Sequence, residues 1–208
     1  MVVRFNKENM TPNSILRLVS TEDAAQIAAI YAPYVLDTPI SFEQDPPTAE
    51  GMGERIASTL VKTPWLVCEQ DGEIKGYAYA SLHRARAAYR WSVDVSAYVH
   101  AGLHRRGIGR ALYTALLNLL PLQGFYNAYA GITLPNPASV GLHEALGFTP
   151  VGVYPEVGYK LGRWYDVGWW QRPLGEHPAD PREPLALRQV VGSPEWQAAL
   201  AKGQALLR

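Results

Sequence analysis

Residues 104–112 read His-Arg-Arg-Gly-Ile-Gly-Arg-Ala-Leu, a glycine-rich turn that opens a helix beside Arg105, Arg106 and Arg110. A helix start presents backbone N–H groups with no intrahelical partner and the positive end of the helix dipole. Glycine lets a ligand approach that backbone, so Gly107, Ile108 and Gly109 beside three arginines suit a phosphate or pyrophosphate. Upstream, Asp94 lies on the polar side of an alternating segment, where a carboxylate could take up a proton. Downstream, Asn136, Ser139 and His143 fall at i, i+3 and i+7, on one face of a helix. Arg84, Arg86 and Arg90 precede the alternating segment, and guanidinium forks suit carboxylates and related oxyanions. Each feature alone has a plainer explanation. Gly-x-Gly occurs in ordinary loops, a strand-edge aspartate pairs with arginines, a lone helical histidine is commonly a bystander, and Arg90 reads as solvated.

The surrounding pattern supplies elements to hold these residues. The segment 91–99 alternates, with Trp91, Val93, Val95, Ala97 and Val99 on one side and Ser92, Asp94, Ser96 and Tyr98 on the other. From Gly107 a helix places Ile108, Ala111, Leu112, Ala115, Leu116 and Leu119 on one broad face, and Pro121 is expected to end it. A strand YNAYAGIT follows. Then comes a helix with Asn136 as N-cap, Pro137 at its first position and Gly147 as its stop.

Before this region the sequence predicts a strand at 15–19 and two helices, STEDAAQIAAIYAPYVLD and TAEGMGERIASTLVKT. Strands at 65–70 and 74–83 are joined by Gln-Asp-Gly. Two final strands cover FTPVGVYPEVGYKL and RWYDVGWWQRPL. Strand runs interrupted by single helices predict an α+β fold with a mixed sheet. Residues 1–14 read as a polar leader. From Pro173 the chain turns rich in proline and charge, reading as a surface tail over 175–208 with a short helix near Ser193–Leu207.

Nineteen acidic residues balance nineteen Lys plus Arg in 208 residues, so no strong field draws the chain to nucleic acid or membrane. The single cysteine, Cys68, excludes an internal disulfide and reads as a buried bystander in WLVC. With no apolar run long enough for a bilayer and no signal-peptide pattern, a soluble cytoplasmic protein is expected.

ARAAYRWSVDVSAYV, LHRRGIGRALYTALL, LQGF, GITLPNPASVGLHEALGF and GYKLGRWYDVGWWQRPL resemble the phosphinothricin N-acetyltransferases of the GNAT superfamily. The resemblance runs from about Ile15 to Leu174 and is strongest from Arg84. His104 stands where the superfamily usually has Gln or Arg, a departure that leaves the backbone amides in place. The family implies a three-layer α/β/α GNAT fold over 15–174, with a mixed, mostly antiparallel twisted sheet splayed at the acetyl-CoA site. It implies acetyl-CoA as co-substrate, no metal, a small amino-acid analogue as acceptor, and a homodimer, to which the aromatic density of GRWYDVGWW also points.

The resemblance further implies roles. Asp94 occupies the position of a glutamate proposed as general base, one methylene shorter. His143 would steer the thiolate proton or the amine. Ala97, Tyr98, Val99, Arg105, Arg106, Gly107, Ile108, Gly109, Arg110, Asn136 and Ser139 would hold the cofactor, and Phe42, Arg84, Arg86 and Tyr89 the acceptor. Arg84 replaces a lysine of better-known members. The expected reaction is direct transfer in a ternary complex, since Cys68 lies outside the motifs. A peptide or protein N-terminal acetyltransferase, which would have no free carboxylate for the arginines, and a non-catalytic acetyl-CoA-binding module are the alternatives.

Overall fold

The computed structural model describes residues 14–207; all but the last residue of the polar leader lies outside them. Seven strands form one sheet: β1 (Ser14–Leu18), β2 (Trp65–Gln70), β3 (Glu73–Leu82), β4 (Ser92–Val99), β5 (Asn127–Leu134), β6 (Thr149–Lys160) and β7 (Arg163–Pro173). Their order is β1-β2-β3-β4-β5-β7-β6, and every neighbouring pair is antiparallel except β4 with β5. Two hairpins close on paired left-handed residues, Asp71–Gly72 and Leu161–Gly162, the geometry that matches strand twist in a two-residue turn.

Helices cover both faces, giving α/β/α layers around two cores. On one side lie α1 (Ala24–Leu36) and α2 (Ala49–Leu60), packed through Ile27, Ile30, Val35, Met52 and Ile56 onto Trp65, Val67 and Tyr77. On the other lie α3 (Ile108–Gln123) and α5 (Pro194–Gln204), against Leu66, Ala78, Ala80, Val93, Val95, Ala128 and Ala130. The alternation of β4 explains the division: Val93 and Val95 enter the α3 core, leaving Asp94, Ser96 and Tyr98 on the α1/α2 face.

Pro121 does not end α3, contrary to the sequence expectation. It sits inside the last turn, and the helix stops at Gly124, whose φ of 89° places it in the left-handed region. Proline there removes one bond near a terminus that frays in any case; glycine supplies the turn that ends it.

The chain after β7 returns across the α3 face. Leu187, Val190, Trp196 and Ala199 are buried in that core. Gly203 of α5 lies so close to Ala111 and Ala115 of α3 that a side chain there would collide with the Ala111 carbonyl.

Parallel pairing of β4 with β5 is short. It joins Ser92, Val93 and Asp94 to Asn127, Ala128 and Tyr129, while β4 runs on to Val99 and β5 to Leu134. Beyond Asp94 the two strands part.

Candidate active site

Antiparallel partners share a sheet face, so the pairs Ser81–Asp94, Tyr79–Ser96 and Tyr77–Tyr98 between β3 and β4 line one surface. Asp94 stands on it at the point where β4 leaves β5. Its Oδ1 is 2.7 Å from Nδ1 of His83, just past the end of β3. Burial raises the Asp94 pKa above the usual carboxylate range, opposed by the His83 hydrogen bond and by the charges of His83 and Arg84. The His83 ring stacks on Tyr129 of β5 at 4.5 Å and meets the edges of Tyr89 and Trp169 at 5.9 and 6.0 Å. Arg84 lies 5.7 Å over the Trp169 ring. Asp94, Arg84 and Tyr89 are thus gathered around one histidine.

Phe42 lies in the loop between α1 and α2. Its ring lies on Gly158 of β6, where any side chain would displace it. Lys160 anchors that loop: buried, it donates from Nζ to the carbonyls of Val35 and Ser41 at 2.5 Å each and Glu43 at 2.8 Å. Arg86 is exposed and caps the short turn 87–89. Arg90 is engaged structurally, bonded to the Ala87 carbonyl and Glu183 and set 5.3 Å over Trp91. On the same sheet face a cavity of ≈ 250 Å³ lies under α2, lined by Tyr31, Arg55, Trp65 and Tyr79 and reaching Ser81, the partner of Asp94.

On the other side of the gap is the glycine turn. Arg105 and Gly107 have φ of 63° and 84°, and left-handed residues on either side of Arg106 shape a concave run of backbone amides. Gly107 is the N-cap of α3 and no side chain caps it, so the amides of Ile108, Gly109 and Arg110 have no intrahelical acceptor. Arg105, Arg106 and Arg110 are exposed around them. Gly109 packs against Leu142 and Val99, and the Leu206 carbonyl approaches Gly107. His104 has a structural partner: its Nε2 is 2.9 Å from the Tyr34 hydroxyl, which donates to the Val99 carbonyl at 2.6 Å. These uncapped amides and exposed cations fit a pyrophosphate. The part of β4 carrying Ala97, Tyr98 and Val99 borders the opening.

Helix α4 (Pro137–Ala145) begins as expected, with the Asn136 side chain accepting from the Ser139 N–H at 3.1 Å. That cap occupies Asn136 Oδ1. His143 turns inward, with Nδ1 2.8 Å from the Ser139 carbonyl and Nε2 3.1 Å from the Tyr113 hydroxyl; it is 4 % exposed. Both ring nitrogens therefore have protein partners, between Tyr113 and Phe148.

Sequence reasoning did not single out His83, Tyr129, Trp169 or Lys160. For His83 a signal existed: pairing the strand ending at 83 with the one starting at 92 puts His83 and Ser81 on the Asp94 face. Trp169 packs on Gly131 directly across β5 and β7, which no local pattern reports.

A splayed sheet with an uncapped glycine turn beside it defines an acyl-CoA transferase architecture, and the comparisons agree. The acetyltransferase (GNAT) domain family matches residues 16–169, so the chain belongs to the GNAT acetyltransferases and is an acetyl-CoA-dependent N-acetyltransferase. It is 39% identical over 175 residues to a phosphinothricin N-acetyltransferase of Streptomyces viridochromogenes, covering 84% of this chain and 95% of that enzyme. A methionine sulfoximine/methionine sulfone acetyltransferase of Salmonella typhimurium is 35% identical, over 79% of this chain and 96% of that one. A crystal structure of a phosphinothricin acetyltransferase from Sinorhizobium meliloti with acetyl-CoA superposes with TM-score 0.79 at 36% identity, over 83% of this chain and 95% of that chain. Among the described residues no helix is long and apolar enough to cross a membrane, and no group of three or more His, Cys, Asp or Glu is placed to hold a metal.

Burial holds the His143 pKa below its ordinary 6.5, with the Ser139 hydrogen bond opposing. The native state then binds fewer protons than the unfolded chain as pH falls. This contribution to stability is whole above about 6.5 and is lost as pH drops through that value toward the native pKa. Urea midpoints should fall on acidification from about pH 7 to about pH 5. His143→Gln should flatten that part of the profile; an unchanged slope would assign the dependence to other groups.

Proposed function

We propose that the chain transfers the acetyl group of acetyl-CoA to the amino group of a glutamate-like amino-acid analogue, of the phosphinothricin or methionine sulfoximine kind. The transfer is direct, in a ternary complex in the cytoplasm, and Asp94 supplies the basicity that removes the amine proton. The observation that carries this reading is the half-buried Asp94 carboxylate at the end of the β4–β5 pairing, with Arg84 close by. An amino-acid amine is largely ammonium at neutral pH, and only its neutral form attacks a thioester. Arg84 and Arg86 suit the carboxylate and the second oxyanion of such an acceptor, with Tyr89 and Phe42 as apolar walls. The names of the relatives support this acceptor class, and Cys68, buried away from the site with its pKa raised to about 11 by burial, is no acyl carrier.

Acetyl-CoA is held, in this reading, by the amides of Gly107 to Arg110, by Arg105 and Arg106, and by the free edge of β4 at Ala97 to Val99. Asn136 and Ser139 contribute from α4. His143 acts on the departing thiolate's proton through Ser139 or Tyr113, its two ring partners. A second copy of the chain covers the β6–β7 hairpin. There Val151, Val153, Val157 and Tyr159 of the last strand, Leu161 of the turn and Trp164 of β7 are all more than half exposed. Such an edge, unpaired and apolar, calls for a partner.

The test of activity is thiol release from acetyl-CoA with phosphinothricin, methionine sulfoximine, methionine sulfone, glutamate and a short peptide. Turnover confined to the tetrahedral analogues is expected, and turnover with the peptide alone would overturn the acceptor assignment. Asp94→Asn should lower kcat about 100-fold or more with acetyl-CoA affinity kept; wild-type kcat would remove Asp94 as the base. Gly107→Val should weaken acetyl-CoA binding at least about tenfold, because a β-branched residue resists positive φ by roughly 1–2 kcal/mol and obstructs the amides. Unchanged calorimetric affinity would remove the turn from the cofactor site. Sedimentation should give twice the chain mass, falling to one chain in Val157→Glu/Trp164→Glu; a wild-type monomer would rule out the dimer.

A further inference from the structure

His83 stands one residue past β3, its N–H still bonded to the Ser92 carbonyl at 3.2 Å. With Nδ1 2.7 Å from the Asp94 carboxylate, the tautomer is set by chemistry. A carboxylate only accepts, so Nδ1 carries the hydrogen and the lone pair of the neutral ring is on Nε2. Nε2 has no hydrogen-bond partner among the described residues, yet it is not one of the sealed, unpartnered nitrogens of the structure. It is an acceptor that no protein group occupies and that is not fully sealed, in a side chain 13% exposed.

The ring itself is fixed. Tyr129 lies parallel beneath it, with 19° between the planes, and Tyr89 and Trp169 approach with their edges. The charged and titratable groups around it are Asp94 from β4, Arg84 from its own segment, Tyr129 from β5 and Tyr89 from the following turn; Trp169 from β7 is neutral. An aspartate reaches less far from its strand than a glutamate would. An imidazole bonded to it through Nδ1 places the accepting Nε2 across the ring from the carboxylate.

We infer that the proton of the acceptor amine passes to Nε2 of His83, while Asp94, bonded to Nδ1, fixes the tautomer and balances the imidazolium. The working base is the pair, and this rests on the acetyl transfer proposed above. The ammonium gives one proton to Nε2. The freed nitrogen lone pair forms a bond to the thioester carbonyl carbon, and the C–S bond breaks with its electron pair leaving on sulfur. The nitrogen gives up its second proton and the sulfur takes one up, the step on which His143 acts in the reading above, and His83 returns the first to solvent. The division of labour, a carboxylate orienting a histidine that moves the proton, is the one known from acid–base dyads and triads.

Thiol release is measured at saturating acetyl-CoA with an acceptor that wild type uses. His83→Asn keeps an N–H donor near Asp94 and removes the ring lone pair. Its kcat should fall about 100-fold or more near neutral pH, with acetyl-CoA affinity by calorimetry unchanged, which also reports that the variant is folded. The deficit should shrink as pH rises to where the acceptor amine is itself deprotonated, and added imidazole should restore part of the turnover of His83→Gly. If His83→Asn does not fold, His83→Gln is read the same way. Wild-type kcat in the variant, or a loss that neither pH nor imidazole changes, overturns the assignment and leaves the ring as packing. Wild type that releases no thiol with any amine would instead sink the acetyl-transfer reading itself.

Discussion

Two parallel strands that stop pairing partway leave backbone N–H and C=O groups facing a gap, and unpaired groups buried there cost on the order of 1–3 kcal/mol each. In this chain β4 and β5 separate after Asp94 and Tyr129, and the rest of the molecule is arranged around that separation. On the far side each strand is held by a long antiparallel ladder, β3 for β4 and β7 for β5, so the gap cannot close by sliding. The Tyr34 hydroxyl satisfies the Val99 carbonyl from α1. What remains open is a slot in the sheet with the amide turn of α3 at one end and Asp94 at the other.

Keeping that slot in shape requires polar groups inside the fold whose hydrogen bonds are complete. Lys160 is the clearest. Burying an ammonium costs on the order of several kcal/mol, and burial accordingly holds its pKa below the ordinary lysine value, with the charge of Glu43 opposing. Three carbonyls, Val35 in the last turn of α1 and Ser41 and Glu43 in the loop after it, offset that cost, and in accepting from one nitrogen they tie the loop that bears Phe42 to α1. Glu43 extends the anchorage to Arg55 in a two-bond pair and to the Tyr31 hydroxyl. His143 does similar work for α4, tying it through Tyr113 to α3. These groups position the walls and do not need to touch the reacting atoms.

The slot was legible in the sequence where its parts are local. Alternation in 91–99, glycines at a helix start and an Asn-Pro helix entry each follow from backbone rules that act over a few residues. They gave the α+β class, the Asp94 face and the Asn136 cap. Pro121 was misread because a proline near a helix end is compatible with both stopping and continuing, and only the left-handed Gly124 decides. The segment after β7 carries few local signals of burial. Gly203 acquires meaning only against Ala111 and Ala115 of α3, and Trp196 only as part of the core that α3 shares, far away in the chain. His83, Trp169 and Lys160 were missed for the same reason, since each owes its place to register or to a loop distant in sequence.

Register also explains how the Asp94 carboxylate comes to meet a histidine. Antiparallel pairing sets Ser81 opposite Asp94. The ladder carries one residue past β3, so the next side chain on the same face, His83, arrives beside Asp94 and not at a surface loop. Tyr129, the parallel partner of Asp94, then provides the flat surface on which the imidazole rests. Three strands thus converge on one hydrogen bond at the last position where β4 pairs with β5 before the gap. A carboxylate there is buried enough to have its pKa raised and is bonded to a histidine where the pairing ends. Moving Asp94 one residue either way would turn it into the α3 core, and moving His83 likewise would turn it away from the carboxylate. The chemistry available at the slot is therefore a consequence of strand parity.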